Sequence, residues 1–273
     1  MTTSIDKGPA TDRNALDIRI AVSDSVNIFI ASLPSRMRER FEEYDSEEKD
    51  GLIEKEIGFI NKVLTATTEL TESRPGPITI LFDVDDTIAR NVYGEDGEVA
   101  TTYVRPGLAV LMEKLEASIG DRFDVGLLTS RGESHLAEEM ASPTYLSSMK
   151  DKVNPDFIFS SREGSSVYNH EILERVPLEV HMGKEALALR AIEKIIRPDM
   201  RAYGEANDFE SVERAVERRH WYDAKLAILQ HVADQHPDRG FVFVDDLPFP
   251  ASVDPLHHQV RGVSVRHASF SLY

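Results

Sequence analysis

Ile78-Thr79-Ile80-Leu81-Phe82-Asp83-Val84-Asp85-Asp86-Thr87 is the stretch that decides the fold. Five apolar or β-branched residues in a row read as a strand buried on both faces, and such strands belong to parallel sheets covered by helices. Glu72-Ser73-Arg74-Pro75-Gly76-Pro77, just before it, is a linker by composition. Further along lie three similar runs, Phe123–Leu128 (FDVGLL), Asp156–Phe159 (DFIF) and Phe241–Val244 (FVFV), and a weaker one over Val260–Val265. Helical patterns fall between them, over Leu108–Ala117, Ser134–Met140 and Asp223–Ala233. Strands alternating with helices predict an α/β domain with a parallel sheet.

That domain spans residues 75–273, and residues 1–74 differ in texture. A polar leader of about a dozen residues, expected to be mobile, precedes a helical pattern over Ala15–Leu33 on Val22, Val26, Phe29, Ile30 and Leu33. Its early part, Leu16, Ile18, Ile20 and Val22, alternates as a strand would. Pro34 ends it, Met37, Phe41 and Tyr44 suggest a short helix, and Ser46–Thr71 repeats the helical period on Leu52, Ile53, Ile57, Ile60 and Leu64. Ser46-Glu47-Glu48 suits a helix N-terminus. This N-terminal helical appendage is read either as a partner-docking or lid element or as packing on the main domain. Residues 161–222 are too long for a plain connection between a strand and a helix. They carry a helical pattern on Ala186, Leu187, Leu189, Ile192, Ile195 and Ile196, closed by Pro198, and a second near Phe209–Val216. The expectation is a small helical cap inserted after the third strand, with extra packing at a sheet edge as the alternative.

Composition narrows the function classes. The 273 residues carry 48 acidic against 31 basic side chains, a net charge of −17. An extended nucleic-acid-binding surface needs the opposite sign, although a local basic pocket for one phosphate remains open. With no cysteine, disulfides, thiolate nucleophiles and cysteine-based metal sites are excluded. The start, MTTSIDKGPATD, lacks the basic and apolar stretches of a secretory signal. No run approaches the roughly 18 apolar residues of a membrane span. A soluble, cytoplasmic protein is expected.

The chemistry-bearing residues cluster at predicted strand ends, where open parallel sheets bind ligands. Asp83-Val84-Asp85-Asp86-Thr87 leaves the first strand. An EF-hand loop would need Gly at Ile88 and Glu at Gly94, so that reading fails. Two remain: a turn of solvated acids, or an aspartate nucleophile beside a second aspartate serving as general acid, with a divalent cation. Thr129-Ser130-Arg131 delivers hydroxyls at the tip of the second strand, or caps the following helix. Phe241-Val242-Phe243-Val244-Asp245-Asp246 is another acid-tipped strand. Two acid-tipped strands in one sheet make a carboxylate pocket that a hard cation stabilises, and magnesium suits it best. Lys225, in Tyr222-Asp223-Ala224-Lys225-Leu226, opens the helix leading into that strand, and Lys184 in His181-Met182-Gly183-Lys184 is an alternative.

In this order the residues resemble the haloacid dehalogenase superfamily of phosphohydrolases. Asp83-Val84-Asp85-Asp86-Thr87 matches its first motif, Thr129 the hydroxyl of the second, Lys225 the lysine of the third and Asp245-Asp246 the acidic fourth, over roughly Ile78 to Pro250. The resemblance implies a Rossmann-like, doubly wound parallel sheet. It implies that Asp83 attacks phosphorus to form an aspartyl-phosphate, and that Asp85 protonates the leaving oxygen and then activates water. It implies that Thr129 and Lys225 hold phosphoryl oxygens, and that magnesium is held by Asp83, by Asp85 through its backbone carbonyl and by Asp245, with Asp246 expected to join them. Dehalogenating members lack the second aspartate, and the Asp-Lys-Thr-Gly-Thr signature of ion-pumping members is absent here.

Between Thr87 and Leu108, Val92-Tyr93 and Val99-Ala100 flank a Gly/Asp-rich tip and read as a β-hairpin flap over the site. Arg105-Pro106-Gly107 looks like superfamily members acting on phosphorylated protein tails and nucleic-acid 3′ ends, or is simply a helix start. Thr87, Ser130 and Arg131 are expected substrate contacts, joined by Tyr93 and Arg162. The leading expectation is a magnesium-dependent phosphatase acting on a small phosphorylated metabolite, with a phosphoprotein or nucleic-acid end as alternative substrate. The competing class is a regulatory or binding protein whose helices 15–72 recognise a partner.

Overall fold

The computed structural model describes residues 9–35, 38–39, 46–93, 99–161, 225–226, 228–246 and 259–265. In chain order the elements are α1 (Pro9–Ser32), α2 (Ser46–Ser73), β1 (Ile78–Phe82), β2 (Ala89–Tyr93), β3 (Val99–Val104), α3 (Gly107–Ile119), a 3-10 turn (Gly120–Arg122), β4 (Phe123–Thr129), α4 (Glu133–Ala141), β5 (Val153–Ser160), β6 (Gly240–Asp245) and β7 (Val260–Ser264). Residues 228–235 are also helical and precede β6.

The molecule has an α/β fold, built among the described residues on a five-stranded parallel sheet in the order β5-β4-β1-β6-β7. Every residue of β1 is buried. It is the central strand, with Ile78–Phe82 paired to Phe123–Leu127 on one side and Gly240–Val244 on the other. Successive side chains of a strand point to opposite faces, and the core divides accordingly. Ile78, Ile80, Phe82, Val125, Leu127, Val242 and Val244 pack with the helices α1, α2 and α3. Leu81, Leu128, Phe241 and Phe243 pack with Ile228, Leu229, Val232 and Ala233 of the helix before β6. Both faces are therefore covered, which is why these strands are continuous apolar runs rather than alternating ones.

The N-terminal helices share the first of these cores. Ile18, Val22, Val26, Phe29 and Leu33 form the buried row of α1, whereas Leu16 and Ile20 are exposed. The strand-like alternation at its start is thus resolved as helix, which begins at Pro9, inside the stretch read as a mobile leader. Helix α2 buries Leu52, Ile53, Phe59, Ile60, Val63 and Leu70, while Ile57 and Leu64 lie only at the margin of the core. Each fully buried side chain of this kind contributes about 1.5–3 kcal/mol. Helix α2 lies against α3, β1, β6 and β7.

Strand β5 runs three residues further back than the apolar run Asp156–Phe159 indicated and includes Pro155. Proline is tolerated there because β5 is an edge strand, where a missing N–H leaves no partner unmet. Gly126 permits its neighbour's approach, since a Cβ at that position would meet the Phe157 carbonyl oxygen at 2.2 Å. The pairing of β4 with β5 shifts register at this point. Strands β2 and β3 form a separate antiparallel ribbon, and Tyr103 of β3 packs edge-on against Phe29 of α1 with ring centroids 5.9 Å apart.

Met37, Phe41 and Tyr44 lie outside the described residues, as do residues 94–98 at the hairpin tip and the expected cap apart from Ser161. Among the described residues no helix is long and apolar enough to cross a membrane.

Candidate active site

The sheet places its acids by register. Strands β1 and β6 are hydrogen-bonded neighbours whose pairing ends at Phe82 and Val244. The Asp83 amide then donates to the Val244 carbonyl at 2.8 Å, carrying the ladder one residue further and setting Asp83 beside Asp245. Counting only the parallel strands in chain order, the sheet reads 3-2-1-4-5. The order reverses between β1 and β6, and ligands of open α/β sheets bind at the carboxyl ends of strands at that point.

A lysine enters this position from the helical residues that precede β6. Lys225 Nζ lies 2.8 Å from Asp83 Oδ1 and 2.9 Å from Asp245 Oδ2, with all three side chains at most 5% exposed. One ammonium between two carboxylates leaves a net negative charge in a place closed to water. Burial therefore pushes the Asp83 carboxyl up to about 7; Lys225 opposes this and the charge of Asp245 adds to it. Asp246 rises to about 6, first by burial and then by the charge of Asp245. Burial alone would depress the Lys225 ammonium, but its contacts with Asp83 and Asp245 outweigh that and hold it above the ordinary lysine value. Asp83, Asp245 and Asp246 each offer a carboxylate oxygen, and these lie within 4.8 Å of one another. An all-oxygen, anionic donor set of this kind fits a hard divalent cation. The Asp85 side chain is not part of that group.

The turn after Asp83 is wound tightly on one carbonyl. Val84 O accepts the amides of Thr87, Ile88 and Ala89 at 3.3, 3.1 and 2.9 Å. Asp86 adopts a left-handed conformation with φ 58°, which aspartate tolerates better than most residues. Thr87, expected to contact substrate, is fully buried, and among the described residues its hydroxyl has no hydrogen-bond partner.

Asp85 projects outward from the same turn. Its carboxylate, 55% exposed, meets the largely buried Arg131 guanidinium at 2.7 Å, with further contacts at 3.1 and 3.2 Å from Nε. Arg131 also lies over the Tyr145 ring, and its carbonyl accepts the Ser160 hydroxyl. Thr129, buried at the end of β4, accepts the Arg131 amide at 3.3 Å. Ser130 Oγ lies 3.2 Å from Ser161 Oγ. The structure thus brings Asp83, Lys225, Asp245 and Asp246 into one cluster and ties Asp85 to Arg131 beside it. Lys184, Arg162 and the Tyr93 side chain lie outside the described residues.

Sequence reasoning missed Glu56 and its pairing with Arg105, which was read only within Arg105-Pro106-Gly107. Glu56 is fully buried, and Arg105 Nε donates to its two oxygens at 3.1 and 3.2 Å. Glu56 stands four residues from both Leu52 and Ile60, so a charge within the apolar row of α2 was the available signal.

No family model, curated protein or solved structure matches the chain. What the cluster can do follows from its chemistry: a carboxylate held by a fixed ammonium, two further carboxylates able to share a cation, and an outer carboxylate–guanidinium pair.

Proposed function

We propose that this chain is a magnesium-dependent phosphatase that hydrolyses a small phosphate monoester through an aspartyl-phosphate on Asp83. The observation that carries the reading is the buried Lys225 ammonium between Asp83 and Asp245 at the ends of two central parallel strands. The strand order 3-2-1-4-5, which a Rossmann-like doubly wound sheet would have, and the sequence motifs resembling the haloacid dehalogenase superfamily support it.

Asp83, Asp245 and Asp246 would hold magnesium, as would Asp85 through its backbone carbonyl. When bound, the cation neutralises phosphoryl oxygens and keeps Asp83 ionised. Lys225 orients the Asp83 carboxylate, whose oxygen attacks phosphorus and displaces the alcohol, and Asp85 gives that alcohol its proton. Thr129, with Ser130 and Arg131 beside it, offers donors to the phosphoryl oxygens. Because Arg131 is engaged by Asp85, a phosphate competing for the guanidinium frees the Asp85 carboxyl for proton transfer. Asp85 then takes a proton from water as the aspartyl-phosphate is hydrolysed, which returns the enzyme and releases inorganic phosphate. Such chemistry rests on positioning and charge neutralisation.

The test is phosphate release from p-nitrophenyl phosphate and a panel of phosphorylated metabolites, with magnesium and with excess chelator. Turnover that requires magnesium and is lost together with cation affinity in Asp245→Ala supports the proposal. Full activity in chelator removes the metal from it, and no turnover across the panel overturns it.

A further inference from the structure

The N-terminal helix α2 reaches the candidate site through a buried relay. Arg105 is closed to solvent, with its guanidinium 3.9 Å from the centre of the Phe59 ring of α2. Its Nε donates to both carboxylate oxygens of Glu56. Its Nη1 donates to the Thr87 carbonyl at 2.9 Å, and its backbone amide donates to the Ile88 carbonyl at 2.8 Å. Glu56 is anchored on its other side by the Gly107 amide at 2.9 Å. Gly107 leaves room for that approach, since a Cβ there would stand 2.7 Å from Glu56 Oε2. Arg105-Pro106-Gly107 therefore starts α3 and also joins α2 to the turn that carries Asp83 and Asp85.

We infer that Glu56 and Arg105 are positioning residues, through which α2 holds the Asp83–Thr87 turn in its working geometry. The inference rests on the phosphatase reading for its effect on catalysis. A packing contact needs no ion pair, and burying one is costly unless its geometry is well met. Here the guanidinium fork is divided between a carboxylate of one helix and a carbonyl of the turn, and lysine cannot supply both bonds at these angles. The Asp83 amide is independently anchored to Val244. Loosening Thr87 and Ile88 therefore moves Asp85 more than Asp83, so proton transfer and the cation contact of the Asp85 carbonyl suffer before substrate binding.

The test uses the full chain carrying Glu56→Gln, with Arg105→Lys as a second variant in case the first fails to fold. Amide hydrogen exchange reads the turn directly, and kcat and KM on phosphate esters read the consequence. In a folded variant, exchange at Ile88 and Ala89 is expected to rise at least tenfold while Ile80 and Leu81 in β1 stay unchanged. The kcat is expected to fall at least tenfold, with KM within threefold of wild type. Unchanged exchange at the turn overturns the inference, as does a loosened turn with kcat within twofold of wild type. If neither variant folds, the pair is an element of stability alone and the inference falls. Absence of turnover in the wild-type protein defeats the phosphatase reading instead, and the exchange data then decide by themselves whether α2 holds the turn.

Discussion

Lys225 Nζ stands 2.8 Å from Asp83 Oδ1, with both side chains 5% exposed. A cation and an anion that belong to distant parts of the chain are fixed against each other where two central strands end. Removing Lys225 leaves Asp83 and Asp245 without their shared cation, and an uncompensated charge left by a broken buried pair typically costs about 3–5 kcal/mol.

Lys225→Met keeps the length of the side chain and discards its charge. In chelator at pH 8 its unfolding free energy is expected to fall by about 3–5 kcal/mol, measured by urea denaturation. At pH 5 the loss shrinks, because Asp83, raised to about 7, is already protonated there and no longer needs the ammonium. Equal losses at both pH values contradict a role based on charge.

The metal-free protein is also expected to lose stability as pH rises. Unfolded, Asp83 and Asp246 titrate near 3.8, whereas folded they titrate at about 7 and about 6. Between those values the native state holds protons that the unfolded chain has released. The contribution of the two groups is complete below 3.8, declines as pH climbs, and is gone above 7. Thermal unfolding from pH 5 to 8 in chelator should show a smaller decline for Asp83→Asn than for wild type. A saturating divalent cation at pH 8 should raise the wild-type midpoint, because it binds only the native state.

Labelling separates the two aspartates of the first turn. Asp83→Asn is expected to lose both turnover and acid-stable labelling by a radioactive phosphoryl donor, since an amide is a poor nucleophile. With a nitrophenolate leaving group, which needs no proton, Asp85→Asn should label and then hydrolyse slowly. General acid–base help is typically about 10²–10⁴-fold, so a burst followed by slow turnover is expected. Hydroxylamine should remove the label. Label retained in Asp83→Asn assigns the nucleophile elsewhere.

Two glycines should respond in opposite directions. Gly126→Ala drives a Cβ against the Phe157 carbonyl oxygen, and overpacking of this kind costs about 1–3 kcal/mol. Among the described residues nothing lies within 4 Å of such a Cβ at Gly58 of α2, so Gly58→Ala should stabilise by about 0.5–1 kcal/mol through helix propensity. Urea denaturation of the two variants checks both signs.

The fold was legible where residue pattern and environment agree. Ile78–Phe82 reads as a doubly buried strand because its two faces meet different helical layers, and neither face admits a polar residue other than Thr79. The helix starting at Ser46 was legible from its acidic start and its period. The beginning of α1 was not: Leu16 and Ile20 are exposed apolar residues, and exposed apolar residues blur any period. Pro155 hid the first half of β5, because a proline in an apolar run argues against a strand unless the strand is known to lie at an edge.

By itself the sequence determined which residues end buried strands in acids, because Asp83 and Asp245 each follow a run of apolar or β-branched residues that only a covered sheet accommodates. It also determined the alternation of strands and helices that makes the sheet parallel. Tertiary structure alone decided which of those ends meet. Strand order sets β1 beside β6, register sets Asp83 beside Asp245, and a helix close in sequence to β6 brings Lys225 between them. It also decided that Asp85 turns outward to Arg131 and that Glu56 of α2 clamps Arg105 beneath the same turn. These pairings join residues 46 and 49 positions apart. No local period encodes them, because they form only when the packed elements bring the charges together and exclude the water that would otherwise screen them.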